Sequence, residues 1–142
     1  MRKIKFRAWD KNIEAMVDPE DLYLNGNGLA GRYYRNCDDE ESIWATDPLS
    51  LEGIILMQYT GLKDKNGVEI CEGDIVRGHP YSMHSPVWIY WDSGQCSFEA
   101  RAGNWSSHFI DWSGPSDLNY QPFEIIGNIY ENPELLKSKY GE

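Results

Sequence analysis

Apolar and polar positions alternate at the start of the chain, with Ile4, Phe6 and Ala8 on one side and Lys5, Arg7 and Trp9 on the other. A period of two marks a half-buried strand. Together with Ile13 to Val17 across Asp10-Lys11-Asn12, the segment predicts an N-terminal hairpin. The β pattern is densest from Ile54 onwards. Ile54 to Leu62 reads as one strand or two short ones, and Asn66-Gly67 supplies a tight turn because both residues tolerate φ > 0. Val68 to Val76 continues the sheet, with Gly73 marking a bulge or sharp bend. Val87-Trp88-Ile89-Tyr90-Trp91 is apolar throughout, which suits a strand buried on both faces. Asp92-Ser93-Gly94 turns the chain, and Cys96, Phe98 and Ala100 then alternate with Gln95, Ser97 and Glu99. An irregular aromatic loop from Ala102 to Pro122 precedes a last strand, Phe123 to Tyr130.

Helical signals are brief. Asp18-Pro19, Asp47-Pro48 and Asn132-Pro133 each set an N-cap residue before a proline at the first helical position. Short turns are expected at the first two, and a short C-terminal helix over Pro133 to Lys139. In that helix Glu134 near the start and Lys137 and Lys139 near the end complement the macrodipole. Residues 25–53 carry little pattern: Asn25-Gly26-Asn27-Gly28 and Gly31 break any element, Tyr33-Tyr34 suits a strand, and Asp38-Asp39-Glu40-Glu41 is too clustered to be buried.

The expected fold is mainly β, α+β at most. It is a small SH3-type β-barrel over residues 54–142, ending in the short helix, with residues 1–53 as a hairpin and irregular segment packed on it. A single domain over 1–142 is the other division. With 142 residues the chain buries enough surface to need no metal or disulfide staple. Six Trp, nine Tyr and four Phe suit pleated surfaces, and thirteen Gly with seven Pro suit short strands joined by turns.

Charge narrows the choice of partners. The net charge is −10, yet Arg2, Lys3, Lys5, Arg7 and Lys11 against Asp10 leave the first eleven residues at +4 and the remainder at −14. Such a body repels phosphate, so nucleic acid is disfavoured as a general partner. The acidity serves solubility, or docking on a basic partner. The basic N-terminal side chains either protect an edge strand or form a docking stripe. Cys37, Cys71 and Cys96 are odd in number and form no CxxC pair, which fits a reducing cytoplasm with the cysteines as small buried residues. No apolar stretch follows the first charges, so neither a signal peptide nor a membrane span is expected.

No catalytic or metal constellation stands out. Asp64-Lys65-Asn66-Gly67 has the look of a calcium loop, but the third ligand position is Val68 and the glycine comes too early; a hairpin turn explains it. His79 and His84, near Cys71 and Cys96 in sequence, lack the paired spacing of a zinc site and lie in a Pro-bounded loop. Ser106, Ser107, His108 and Asp111 are the residue types of a hydrolase triad, but they fall within six residues and lack a nucleophile elbow. No cofactor is implied. The best site candidate is the aromatic segment Trp105, Phe109 and Trp112, spaced for one face of a short helical turn and suited to a peptide or a stacked base. These rings serve equally as packing across an open barrel end.

Several blocks together resemble the YopX family of phage and prophage proteins. They are Lys3-Ile4-Lys5-Phe6-Arg7-Ala8-Trp9-Asp10, Leu56-Met57-Gln58-Tyr59-Thr60-Gly61-Leu62-Lys63-Asp64-Lys65-Asn66-Gly67, Glu72-Gly73-Asp74-Ile75-Val76, and Ile125-Ile126-Gly127-Asn128-Ile129-Tyr130-Glu131-Asn132-Pro133-Glu134-Leu135-Leu136. The resemblance implies a phage-encoded cytoplasmic protein with an SH3-type barrel at its core, and it implies no activity and no site residues. The functional expectation is a non-enzymatic protein-interaction module with a protein partner, and an exposed sheet edge that would also allow a homo-oligomer. Two alternatives belong to other classes. One is a nucleic-acid-binding barrel using the basic strand and the aromatic loop; the other is a hydrolase built on carboxylates or a metal.

Overall fold

The computed structural model describes residues 3–17, 19, 22–24, 30–35, 43–45, 53–78, 86–108 and 123–137. The chain is mainly β, with a short 3-10 turn near the C-terminus. It divides into two compact units, residues 4–58 and residues 59–142 with the first three residues.

In the unit of residues 4–58, strand β1 (Phe6–Asp10) lies between β2 (Ala15–Val17) and the first half of β6 (Ile54–Lys63), antiparallel to both. Alternation along β1 sets Ala8 opposite Val17 and Leu56, and Ala8, Val17 and Ile54 form a small buried cluster with Leu22 and Leu56 against it. The expected hairpin is therefore present, with a longer connection than the sequence suggested. Asp10 is buried, and its carboxylate accepts the Asn12 N–H at 2.8 Å. Ile13 falls in the turn and is exposed. Strands β3 (Leu22–Leu24), β4 (Ala30–Arg35) and β5 (Ile43–Ala45) form a separate antiparallel sheet with β4 central. Tyr33 and Tyr34 thus lie on a strand, and the two short partners flanking it were not legible. The acidic run 38–41 and the Asp47-Pro48 turn lie outside the described residues, as do the neighbours of Pro19.

In the unit of residues 59–142, the second half of β6 pairs with β7 (Glu69–Cys71), and a register shift between Tyr59 and Lys63 coincides with Gly61 at φ +94°. A five-stranded antiparallel sheet follows in the order β11 (Trp105–His108), β10 (Ser97–Ala102), β9 (Val87–Asp92), β8 (Asp74–Gly78), β12 (Phe123–Asn128). One face buries Ile70, Val76, Val87, Ile89, Phe98, Ala100 and Phe123 as a single cluster. Fully burying one such side chain contributes about 1.5–3 kcal/mol, so this cluster is the main source of cohesion here.

The turns of this unit differ from expectation in instructive ways. Gly67 has φ +80°, but Asn66 does not have positive φ, so Asn66-Gly67 is not the centre of a two-residue turn. Instead the Gly67 N–H donates to the Asp64 carbonyl at 3.0 Å and the Asp64 N–H to Val68 at 2.8 Å, the pattern of a type I turn followed by a left-handed glycine bulge. Of the two forms expected at Gly73, the sharp bend is the one present: at φ +82° it turns the chain between β7 and β8. Strand β9 buries one face only: Val87 and Ile89 are inside, Trp88 and Tyr90 are half-buried, and Trp91 is 42% exposed. The uniform apolarity of that run hid its alternation. Cys71 is buried, but Cys96 sits exposed in the β9–β10 turn at φ +52°, which corrects the reading of the cysteines as buried; Cys37 lies outside the described residues.

The expected C-terminal helix is a single 3-10 turn, Pro133–Leu136, with Lys137 as its C-cap and no basic residue in its last turn. Asn132 does not cap it through its side chain. Its Oδ1 instead accepts the Asn128 N–H at 3.3 Å, which ties the turn back to the end of β12. Lys139 lies outside the described residues.

Candidate interaction surface

Trp105 is on a strand, not on a helical turn. A two-residue connection, Gly103-Asn104 with Gly103 at φ +58°, folds β11 directly back on β10 so that Trp105 faces Ala102. Glycine at the first central position is the signature of a type II′ hairpin, and this signal was readable in the sequence. At Trp105, strand geometry takes the place of the expected helical turn. Trp105 is half-buried and packs against the core cluster, which favours its reading as packing. Phe109, Trp112 and Asp111 lie outside the described residues, as do His79 and His84. Ser106 is exposed on β11.

The Asp64 carboxylate is engaged by the backbone. Its Oδ1 accepts the N–H groups of Asn66 and Val68 at 2.8 and 2.9 Å, and its Oδ2 accepts the Ile125 N–H at 3.2 Å. The Lys65 N–H donates to the Phe123 carbonyl at 2.8 Å. The turn thereby covers the outer edge of β12, where another strand would otherwise pair. Asp64 is 2% exposed. Burial pushes its carboxyl up, but the hydrogen bonds from Val68, Ile125 and Asn66 outweigh it and hold the group below its ordinary range. This explains the calcium-loop look of the segment: the carboxylate closes a turn. Among the described residues, no group of three or more His, Cys, Asp or Glu gathers as a metal ion would need.

The opposite face of the five-stranded sheet carries the better surface. Residues directly opposite in neighbouring strands share a face, so the register sets Ile75, Trp88, Arg101 and Ser106 in one row, and Tyr90 and Glu99 in the next. The Trp88 and Tyr90 rings lie 5.1 Å apart, tilted by 38°. Arg101 lays its guanidinium over the Tyr90 ring, 4.7 Å from the centroid, within the range of a cation–π contact. Glu99 is buried and accepts the Ser97 hydroxyl at 2.9 Å. Arg101 is exposed and has no carboxylate partner among the described residues. Two other cations of this unit are engaged. Arg77 Nη2 and Lys65 Nζ stand 2.8 and 3.2 Å from the same Glu124 oxygen, and Arg77 and Lys65 together hold the Glu124 carboxyl below its usual range. The ring partner of Arg101 is Tyr90, across the sheet, a contact that only the register creates.

Two solved structures are similar over nearly the whole chain. The crystal structure of protein EF1440 from Enterococcus faecalis is 28% identical, covers 96% of this chain and 99% of its own, and superposes with a TM-score of 0.57. That of protein yopX from Bacillus subtilis is 20% identical, with 98% and 99% coverage and a TM-score of 0.59. None of the curated proteins is similar at a significant level. The family model described as YopX protein matches residues 5–137, most of the chain. The chain belongs to the YopX family.

Proposed function

We propose that this is a phage-encoded cytoplasmic protein with an SH3-type core that acts without catalysis, by contact with a protein partner. The contact surface is the outward face of the five-stranded sheet, centred on Trp88, Tyr90 and Arg101. The observation that supports it most is the exposed guanidinium of Arg101 on the Tyr90 ring, in a chain with 23 acidic residues and yet in no ion pair among the described residues. Flat rings with an unneutralised arginine are the composition of binding hot spots. The Trp105 segment becomes the second candidate, because Trp105 packs against the core.

Affinity capture from a phage-carrying host tests the reading, with the wild-type chain beside Arg101→Gln and Trp105→Ala. A partner retained by wild type and by Trp105→Ala, and lost with Arg101→Gln, supports the sheet face. A partner lost only with folded Trp105→Ala moves the site to the aromatic segment. Turnover of a substrate by the purified chain would overturn the non-enzymatic reading.

A further inference from the structure

We infer that the outward sheet face binds an extended peptide segment bearing one carboxylate, with an apolar side chain two residues away. This rests on the assignment of that face as the contact surface and adds the chemistry of what it recognises. Trp88 and Tyr90 are two residues apart on β9, about 6.6–6.8 Å along a strand. The Arg101 guanidinium sits over Tyr90 rather than over its row neighbour Trp88. The cation and the half-buried Trp88 indole, whose ring lies 5.1 Å from that of Tyr90, are therefore offset along β9 by two residues. A peptide in β conformation repeats its same-face side chains at that distance. A carboxylate on Arg101 thus delivers the next same-face side chain to Trp88.

The rest of the face restricts the pose. Beyond Trp88, Ile75 is fully buried. Its row continues to Gly127, where Asn132 and Leu135 approach closely, so that side is already closed by the C-terminal turn. Ser106 at the other end of the row is exposed, as is Arg101 beside it on β10. Among the described residues of this unit, Arg101 is the arginine outside an ion pair, which matches a single carboxylate. A nucleic-acid strand brings a phosphate at every residue and needs several cations; here Arg77 and Lys65 are held by Glu124 and the chain carries −10.

The test uses fluorescein-labelled glycine–serine peptides carrying one glutamate and one leucine at spacings of one, two or three residues. Polarisation is read against the full chain, with a labelled oligothymidine as a further probe. Spacing two is expected to bind tightest. Replacing its glutamate by glutamine is expected to weaken binding to wild type about fivefold, the scale of one exposed charge pair, and to leave binding to Arg101→Gln unchanged. Arg101 is exposed, so that variant keeps its fold, which an unchanged melting curve verifies. No dependence on the glutamate, equal binding at all spacings, or Arg101-dependent capture of the oligothymidine would each overturn the peptide assignment. If the host partner is still lost with Arg101→Gln while the peptides show no coupling, the face stands and only its ligand class falls.

Discussion

Replacing Asp64 by alanine should open the turn that covers the outer edge of β12. The magnitude follows from its three acceptor contacts. Asn66 and Val68 are exposed, so water can reach their N–H groups, and each lost bond costs about 0.5–1.5 kcal/mol. Ile125 is half-buried on the core side of β12, and an unmet N–H there costs about 1–3 kcal/mol. Taken together, the loss is about 4 kcal/mol. Urea unfolding followed by far-ultraviolet circular dichroism reads it directly, as a midpoint lowered by about 2 M if the m-value is about 2 kcal/mol/M. Asp64→Asn should fall between alanine and wild type. Its amide oxygen still accepts from the turn, but its NH₂ then faces the Ile125 donor.

The same residue fixes a pH dependence. Because the folded carboxyl lies below its ordinary value of 3.8, the folded state takes up its proton later than the unfolded chain as pH falls. The stabilisation is therefore complete above the unfolded value and is lost as pH falls through the folded one. The gap between wild type and Asp64→Ala should be full at neutral pH and shrink in the acid range below about pH 4. A midpoint for Asp64→Ala within about 0.3 M of wild type at neutral pH would refute the reasoning. So would a gap that is unchanged deep in acid.

Other positions give sharp expectations. A Cβ added at Gly127 would stand 2.6 Å from Asn132 Oδ1 and 2.9 Å from Leu135 Cδ1, so Gly127→Ala should cost about 1–3 kcal/mol by overpacking and loosen amide exchange in the C-terminal turn. Phe98→Ala removes a fully buried ring from the core cluster and should cost about 3–5 kcal/mol in urea unfolding. Gly67→Ala meets open space but sits at φ +80°, and should lose about 1–2 kcal/mol through the left-handed backbone alone. Alkylation of the native protein followed by peptide mapping should mark Cys96, which is exposed, and spare the buried Cys71 until urea is added; equal labelling would contradict the burial of β7.

What the sequence made legible follows from the range of each interaction. The β1–β2 hairpin and the β10 alternation were readable because strand period is a local property, set by which side chains meet the core. Trp91 was misread for the converse reason: an unbroken apolar run contains no alternation to show that its last ring reaches solvent. The strand at Trp105–His108 was missed although Gly103-Asn104 signalled it, because helical spacing of the aromatic residues was weighed above turn chemistry. Strands of three residues such as β3 and β5 fall below the length at which a pattern can be counted. At Asn132 a local rule lost to a tertiary contact, the side chain bonding the Asn128 backbone instead of capping the following turn. The Trp88–Tyr90–Arg101 face was illegible, since it depends on which residues of β9 and β10 stand opposite one another.

The chain's acidity also changes meaning once its turns are known. Asp10, Asp64, Asp74 and Asp92 each accept backbone N–H groups close in sequence, from Asn12, from Asn66 and Val68, from Cys71, and from Gly94 and Gln95 respectively. Short carboxylate side chains suit this work because they reach their own turn. Part of a charge of −10 is therefore architectural, not a field evolved for a partner. Neutralising carboxylates at random to test an acidic docking role would unfold turns before it altered recognition. Glu99 and Glu124 are likewise held, by Ser97 and by Arg77 with Lys65. Beside these committed carboxylates, the guanidinium on Tyr90 is exposed and in no ion pair among the described residues, so a charge-altering experiment is best begun at Arg101.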